Sequence, residues 1–346
     1  MHILLRFRKK PFYYCVKNVV KWFLKKGGAR MKKLITCIAI LSIICGVFTG
    51  CTNNKSNNSN VSGEKEKTNV QVSSNKKGNK KGILVVSFGT SYGDTRKVTL
   101  DAIQEKIANN FKEYIVKRAY TSSIIIKKLK NRDNIIVDSP EEELNKMKEE
   151  GFNEVIVQPL HIIPGEEYNE LKESVKKFQK NNSFGKLVLG RPLLYRSEDY
   201  RKAIEALKYQ LPKLDKGQAV VLMGHGTAHP ANSSYALLQY TLEEEGMNNV
   251  YVGTVEGYPT INNVIRRLKK DNIKEVTLMP FMVVAGDHAN NDMAGDENDS
   301  WKMVLKSEGF KVNTYIHGLG ENEGIRKIYI EHVKDCINGN PFMKEK

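Results

Sequence analysis

The sequence predicts an α/β fold of two similar Rossmann-like lobes, each built on a parallel sheet, with the active site in the cleft between them. Three observations predict it. From Gly82 onward, short β-branched runs alternate with amphipathic stretches, the pattern of βαβ units. The chain then repeats itself: Glu154-Val-Ile-Val-Gln-Pro-Leu-His-Ile-Ile-Pro-Gly-Glu-Glu167 aligns without a gap on Glu275-Val-Thr-Leu-Met-Pro-Phe-Met-Val-Val-Ala-Gly-Asp-His288, and Ile83–Thr90 matches Val220–Thr227. Finally, the copies differ in chemistry, because Phe88 aligns with His225 and Glu167 with His288. A duplicated scaffold with ligands concentrated in one copy implies an asymmetric site.

Taken in order, strands are expected near 83–88, 113–119, 154–160 and 186–190 in the first copy. The second should place them near 219–224, 249–255, 274–281 and 311–317, with helices between. Ser139-Pro140-Glu141-Glu142 is a helix start, with Ser at the N-cap, Pro at the first helical position and Glu placed to close a capping box. Ile124–Leu129 and Asn263–Leu268 read as corresponding helices of the two copies. The lobes are expected at 82–210 and 211–340, each near the common domain size. In open parallel sheets, the loops beyond the carboxyl ends of the strands carry function.

The formal charge of +16 does not describe the folded body. Residues 1–80 hold 17 Lys or Arg against 2 Asp or Glu, whereas residues 81–346 hold 38 against 37. A basic stripe tracking phosphates is not supported, so no nucleic-acid partner is expected. Residues 31–50 read Met-Lys-Lys, an apolar run from Leu34 to Phe48, then Thr49-Gly50 before Cys51. That run is too short for a comfortable span and has the make-up of a secretory signal. The Phe48–Cys51 ending resembles a bacterial lipobox, with Phe48 where Leu is usual, so Cys51 is expected to carry lipid. Residues 51–81 form a polar tether. Residues 1–30 read as an upstream extension, with translation starting at Met31. The expected location is extracytoplasmic and membrane-anchored, or cytoplasmic if the signal is not used. Of five cysteines only Cys336 lies in the body, which leaves no disulfide or Cys-based zinc site there.

The ionisable groups fall after the strands of the second copy. His225 sits between two glycines in Met223-Gly-His-Gly-Thr-Ala-His229, where missing Cβ atoms let a planar ligand or metal approach the backbone; the alternative is a histidine capping a turn. Glu256 follows a strand and precedes Gly-Tyr-Pro259, with a carboxylate at a helix start as its alternative. His288 lies in a dense polar loop. Two imidazoles and a carboxylate on adjacent strand ends suit divalent Co, Ni, Fe or Zn, and an incomplete shell leaves room for substrate. Across the cleft, Glu167 is the candidate to move protons, whereas Glu166 reads as a solvated carboxylate at a helix N-terminus. His161 reads as a hydrogen-bonded core histidine, His229 as an auxiliary candidate, and His317 and His332 have no supporting context. No Walker A loop, Gly-x-Gly-x-x-Gly or nucleophile elbow is present, so no nucleotide is expected.

These motifs are similar to those of a known family. Leu84–Ser91, Gln158–Tyr168, Met223–Gly226, Val255–Pro259, Met279–Ala289, Asn291–Ala294, Asp299–Met303 and Gly318–Asn322 resemble the anaerobic-type cobaltochelatases, ATP-independent class II enzymes that act on sirohydrochlorin in cobalamin synthesis. The resemblance runs from about Gly82 to His332. It implies a chelatase-like fold with the tetrapyrrole in the cleft and Co²⁺ as substrate metal, with Fe²⁺ or Ni²⁺ as the nearest alternatives. By position, His225 matches the catalytic, metal-binding histidine, Glu256 and His288 the other ligands, and Glu167 an acid at the mouth of the site. The signal and tether depart from a cytoplasmic biosynthetic enzyme and favour, as the rival reading, an extracytoplasmic lipoprotein that binds a tetrapyrrole or metal. A homo-oligomer remains open.

Overall fold

The computed structural model describes residues 79–339 and 341–342. The expected upstream extension, signal, Cys51 and most of the tether lie outside the described residues. The chain runs through β1 (Lys80–Ser87), α1 (Gly93–Arg96), a π-helical turn (Lys97–Asp101), α2 (Ala102–Asn110), β2 (Ile115–Tyr120), α3 (Ser123–Asp133), α4 (Pro140–Glu149), β3 (Phe152–Pro159), α5 (Glu166–Lys180), β4 (Lys186–Leu189) and α6 (Ser197–Lys208). Its second half comprises β5 (Gln218–Gly224), α7 (Ser233–Glu244), β6 (Val250–Thr254), α8 (Ile261–Lys270), β7 (Glu275–Pro280), a second π-helical turn (Ala289–Met293), α9 (Trp301–Ser307), β8 (Lys311–Thr314) and α10 (Glu323–Ile337).

All eight expected strands form, with several edges displaced: β1 starts at Lys80 rather than 83 and β3 at Phe152 rather than 154. β2 starts at Ile115 rather than 113, because Tyr114 N–H donates back to the Phe111 carbonyl at 3.0 Å and closes a turn. β8 ends at Thr314 rather than 317, and the Tyr315 ring packs on His317 with centroids 4.4 Å apart. Each sheet has four parallel strands, ordered β2-β1-β3-β4 and β6-β5-β7-β8. The connection reverses direction beside β1 and beside β5, which opens a crevice at the carboxyl end of each sheet.

The duplication extends to individual backbone hydrogen bonds. Leu160 N donates to Val86 O and Phe281 N to Met223 O; Gly190 N donates to Val157 O and Tyr315 N to Leu278 O. Beyond the central strands, Thr121 N meets Ser87 O as Val255 N meets Gly224 O, and Ser122 N meets Phe88 O as Glu256 N meets His225 O. Phe88 is therefore the spatial counterpart of His225, as the alignment expects. The same bonds add a pair that the alignment does not reach, Ser122 and Glu256.

Alternation along the strands decides which core each side chain enters. Ile83 and Val85 of β1 and Val220 and Leu222 of β5 share one apolar core with α2, α7 and α10. Leu84 and Val86 point instead into a core special to the first lobe, and Val221 and Met223 into one special to the second. Both faces of each sheet are apolar, as buried parallel strands require. The capping box at Ser139 forms, with Ser139 N–H donating to Glu142 Oε2 at 2.8 Å and Glu142 N–H to Ser139 Oγ at 3.4 Å.

α10 follows the second lobe in sequence and packs on the first, against α6, α2 and β3. Tyr329 OH donates to Leu160 O at 3.0 Å, and Lys186 Nζ to Ile337 O at 2.9 Å. A buried ionic seam completes the junction. Arg191, 2% exposed, pairs with Asp199 and Asp335 at 3.0 and 2.7 Å, while His332 fills the space between Arg191 O and Asp199. Burial alone would raise the Asp199 carboxyl, but hydrogen bonds from His332 and Arg191 outweigh it and hold the group at about 2.

Candidate functional site

His225 leaves the end of β5 with its loop held from three sides. Gly226 has φ +82°, and a Cβ there would lie 2.7 Å from Gly257 N, so the glycine permits both a left-handed turn and close approach of the loop after β6. A Cβ on Gly224 would lie 2.3 Å from the Tyr235 ring. The space beside these glycines is filled by protein, which corrects the expectation that it receives a ligand. Asn232 ties the two loops together, accepting from Thr227 N at 3.1 Å and donating to Tyr258 O at 2.6 Å. Glu256 N–H donates to His225 O at 2.8 Å, which fixes Glu256 beside His225 while its side chain stays exposed. Glu256 also lies well before α8, whose cap is Thr260, so it is not a carboxylate at a helix start.

His288 follows β7 and meets His225 edge to face, with ring centroids 4.6 Å apart and planes at 87°. Hydrogen bonding sets the tautomers. His225 Nδ1 lies 2.9 Å from Gly226 O, and His288 Nδ1 lies 2.6 Å from Asp292 Oδ2. A carbonyl or ionised carboxylate oxygen can only accept, so each Nδ1 carries the proton and each Nε2 presents a lone pair. Two imidazole lone pairs are thus available at one strand edge. Among the described residues, no group of three or more His, Cys, Asp or Glu is gathered into a ready metal shell. The arrangement is two paired imidazoles with an exposed carboxylate adjoining, open on one side.

Asp292, the partner of His288 Nδ1, is a residue of this site that sequence reasoning did not single out. Its signal is the four-residue spacing from His288 across a helical turn, which brings the two side chains onto one face.

On the first lobe, Glu167 occupies the first turn of α5, partly buried, while Glu166 beside it is exposed as expected. The Glu167 charge acts on Tyr235, whose hydroxyl accepts from Gly226 N–H at 3.4 Å, and is felt in this way at the His225 loop. The lobes meet on both sides of this region. Tyr92 OH donates to Asp287 Oδ1 at 3.0 Å, and Asn169 bonds His229 Nε2 at 3.0 Å. Exposed Phe88 and Tyr258 add aromatic surface at the ends of β1 and β6.

The remaining histidines separate cleanly. His229 Nδ1 accepts from Ala231 N–H at 3.1 Å, so the ring caps that turn, and its Nε2 lies 3.0 Å from the Asn169 side-chain amide of the first lobe. His317 pairs with Glu321 at 2.7 Å. His332 belongs to the ionic seam. His161 lies two residues beyond β3 and is half-buried, and it is not the expected hydrogen-bonded core histidine: both ring nitrogens are sealed from solvent and neither has a partner. Burial pushes its ring down to about 4, against an opposing pull from Glu167. A surface pocket of ≈280 Å³ between α6 and α10 is lined mostly by charges paired with one another, including Lys202 with Glu331 and Arg196 with Glu198.

Comparison with known proteins places this geometry. Residues 81–338 match the family model described as cobalt chelatase (CbiK). The chain is 40% identical over 259 residues to the sirohydrochlorin cobaltochelatase of Salmonella typhimurium, covering 75% of this chain and 97% of that protein. It is 36% identical over 264 residues to sirohydrochlorin cobaltochelatase CbiKC of Nitratidesulfovibrio vulgaris, covering 75% and 91%. Among solved structures, SirB from Bacillus subtilis with Fe³⁺ matches at a TM-score of 0.51 and 17% identity over 74% of this chain and 95% of that one, a likeness of fold. Two duplicated parallel sheets and a histidine pair at one strand edge, together with a match across nearly the whole described body, establish that the chain belongs to the cobalt chelatase family.

Proposed function

We propose that this chain inserts Co²⁺ into sirohydrochlorin without a nucleotide, with the metal held by His225, His288 and Glu256 and protons taken up by Glu167. The observation that carries the reading is the pair of Nε2 lone pairs on rings 4.6 Å apart. Neutral imidazoles bind a hydrated divalent cation, and an adjacent exposed carboxylate adds charge without closing the shell. Three protein groups on an open edge hold the ion loosely enough to release it. Insertion requires two pyrrole N–H protons to leave as the metal enters, and the Glu167 carboxylate on the opposite lobe takes up one of them. The four macrocycle nitrogens then displace the protein ligands.

The test is absorbance of sirohydrochlorin with purified chain and Co²⁺, Fe²⁺ or Ni²⁺ in turn. Cobalt is expected to be inserted fastest, while a faster rate with iron or nickel would reassign the metal. Calorimetric titration of Co²⁺ should show weakened affinity in His288→Ala, and unchanged affinity would remove His288 from the ligand set. The Phe48-Thr49-Gly50-Cys51 motif and polar residues 52–81 support a lipid anchor at Cys51 and an extracytoplasmic location. Cys51→Ser is expected to release the protein from membranes or block its processing, with insertion in solution unchanged; wild-type protein wholly in the cytoplasm with residues 31–50 attached would remove this assignment.

A further inference from the structure

The first lobe contains a histidine that its own packing does not explain. His161 lies immediately after Leu160, and the duplicated backbone bonds identify its counterpart. Leu193 N donates to His161 O and Leu194 N to Ile162 O in the first lobe, as Leu319 N donates to Met282 O and Gly320 N to Val283 O in the second. His161 therefore occupies the slot that Met282 fills. Met282 is partly buried against an apolar core, so a thioether satisfies this position where packing alone is required. The first lobe instead places there an imidazole with both nitrogens sealed and unpartnered. Buried polar groups are paired in the great majority of cases, and an orphan calls for an explanation.

The charge that acts on this ring is Glu167, six residues along in the first turn of α5. Between them lies the Ile162–Gly165 connection, with Gly165 as the helix N-cap and no side-chain cap bond. We propose that His161 is the positioning residue for Glu167: its N–H donates to the Glu167 carboxylate when substrate occupies the cleft and holds that carboxylate toward the macrocycle. A neutral imidazole has one donor nitrogen and one acceptor nitrogen, so it can supply this bond without adding charge to the site. Shielding from water leaves the donor free of solvent partners, and a carboxylate fixed in one rotamer is already oriented for proton uptake.

The inference rests on the proposed role of Glu167, and the experiment separates the two. Steady-state insertion would be measured for wild type, His161→Met, His161→Gln, His161→Asn, Glu167→Gln and the His161→Met/Glu167→Gln double variant, with thermal melts alongside. His161→Met copies the second lobe and is expected to melt with the wild type. Its kcat should fall roughly ten- to a hundred-fold, while KM for both substrates stays within about twofold of wild type, a split that packing damage does not produce. At least one of the amides, which restore a donor, should recover most of the rate. The double variant should be no slower than Glu167→Gln. Wild-type kcat in His161→Met, or losses that multiply in the double variant, would overturn the role of His161. Wild-type kcat in Glu167→Gln would instead remove Glu167 from the mechanism, and the inference with it. Should His161→Met fail to fold, His161→Leu takes its place in the same cycle.

Discussion

Asp292 and the Gly226 carbonyl decide what His288 and His225 can do, because each claims an Nδ1 proton and leaves an Nε2 lone pair. Asp292→Ala should therefore weaken Co²⁺ binding by about ten- to a hundred-fold, the usual effect of losing a partner that orients a ligating imidazole. Calorimetry returning the wild-type affinity would show that the ring needs no such partner. His225→Ala should lower insertion by roughly a hundredfold or more and change stability by less than about 0.5 kcal/mol, since the ring bonds only its neighbour's carbonyl. His161 acts on stability through pH. Its ring falls from an ordinary 6.5 to about 4 on folding, so between those values the unfolded chain binds more protons. Stability should then be lost as pH drops from about 6.5 to 4, by about 3 kcal/mol when complete. Melts of His161→Met across this range should be flatter than wild type; parallel curves would show that His161 titrates freely.

Most of the element layout was legible in the sequence, for a physical reason: strands buried on both faces read as β-branched runs, and the repeat supplied each strand twice. Ser139 and Pro140 marked α4 because capping chemistry is local. The loops that carry the candidate residues were legible too, since His225, Glu256 and His288 each follow an apolar run. What was not legible depended on contacts distant in sequence. The glycines around His225 read as room for a ligand, yet they accommodate Tyr235 and the Glu256–Gly257 backbone. Gly226→Ala should for that reason cost about 1–3 kcal/mol and displace Glu256, seen as a lower melting point together with weaker Co²⁺ binding. A variant that melts like wild type would mean that the loop after β6 yields without cost. Likewise, only the fold pairs Ser122 with Glu256, whereas the pairing of His161 with Met282 already stands in the alignment.

The two lobes share one apolar core, and α10 returns from the second lobe to close the first, so neither is expected to fold alone. Breaking the seam should be severe: Arg191→Met leaves Asp199 buried without its guanidinium partner and should cost about 3–5 kcal/mol, read from denaturant midpoints. A change below about 1 kcal/mol would show that His332 suffices to neutralise Asp199. This coupling bears on function, because His225, Glu256 and His288 stand on one lobe and Glu167 on the other, and a shared core fixes their separation. The most direct test of that division of labour is a multiple-turnover assay of Co²⁺ insertion into sirohydrochlorin by the intact chain, run with His225→Ala in parallel. Product should accumulate well beyond one equivalent per wild-type chain and stay near the uncatalysed rate with His225→Ala. Tight binding of the tetrapyrrole that stops at one equivalent, or His225→Ala turning over like wild type, would contradict a chelatase working from this site.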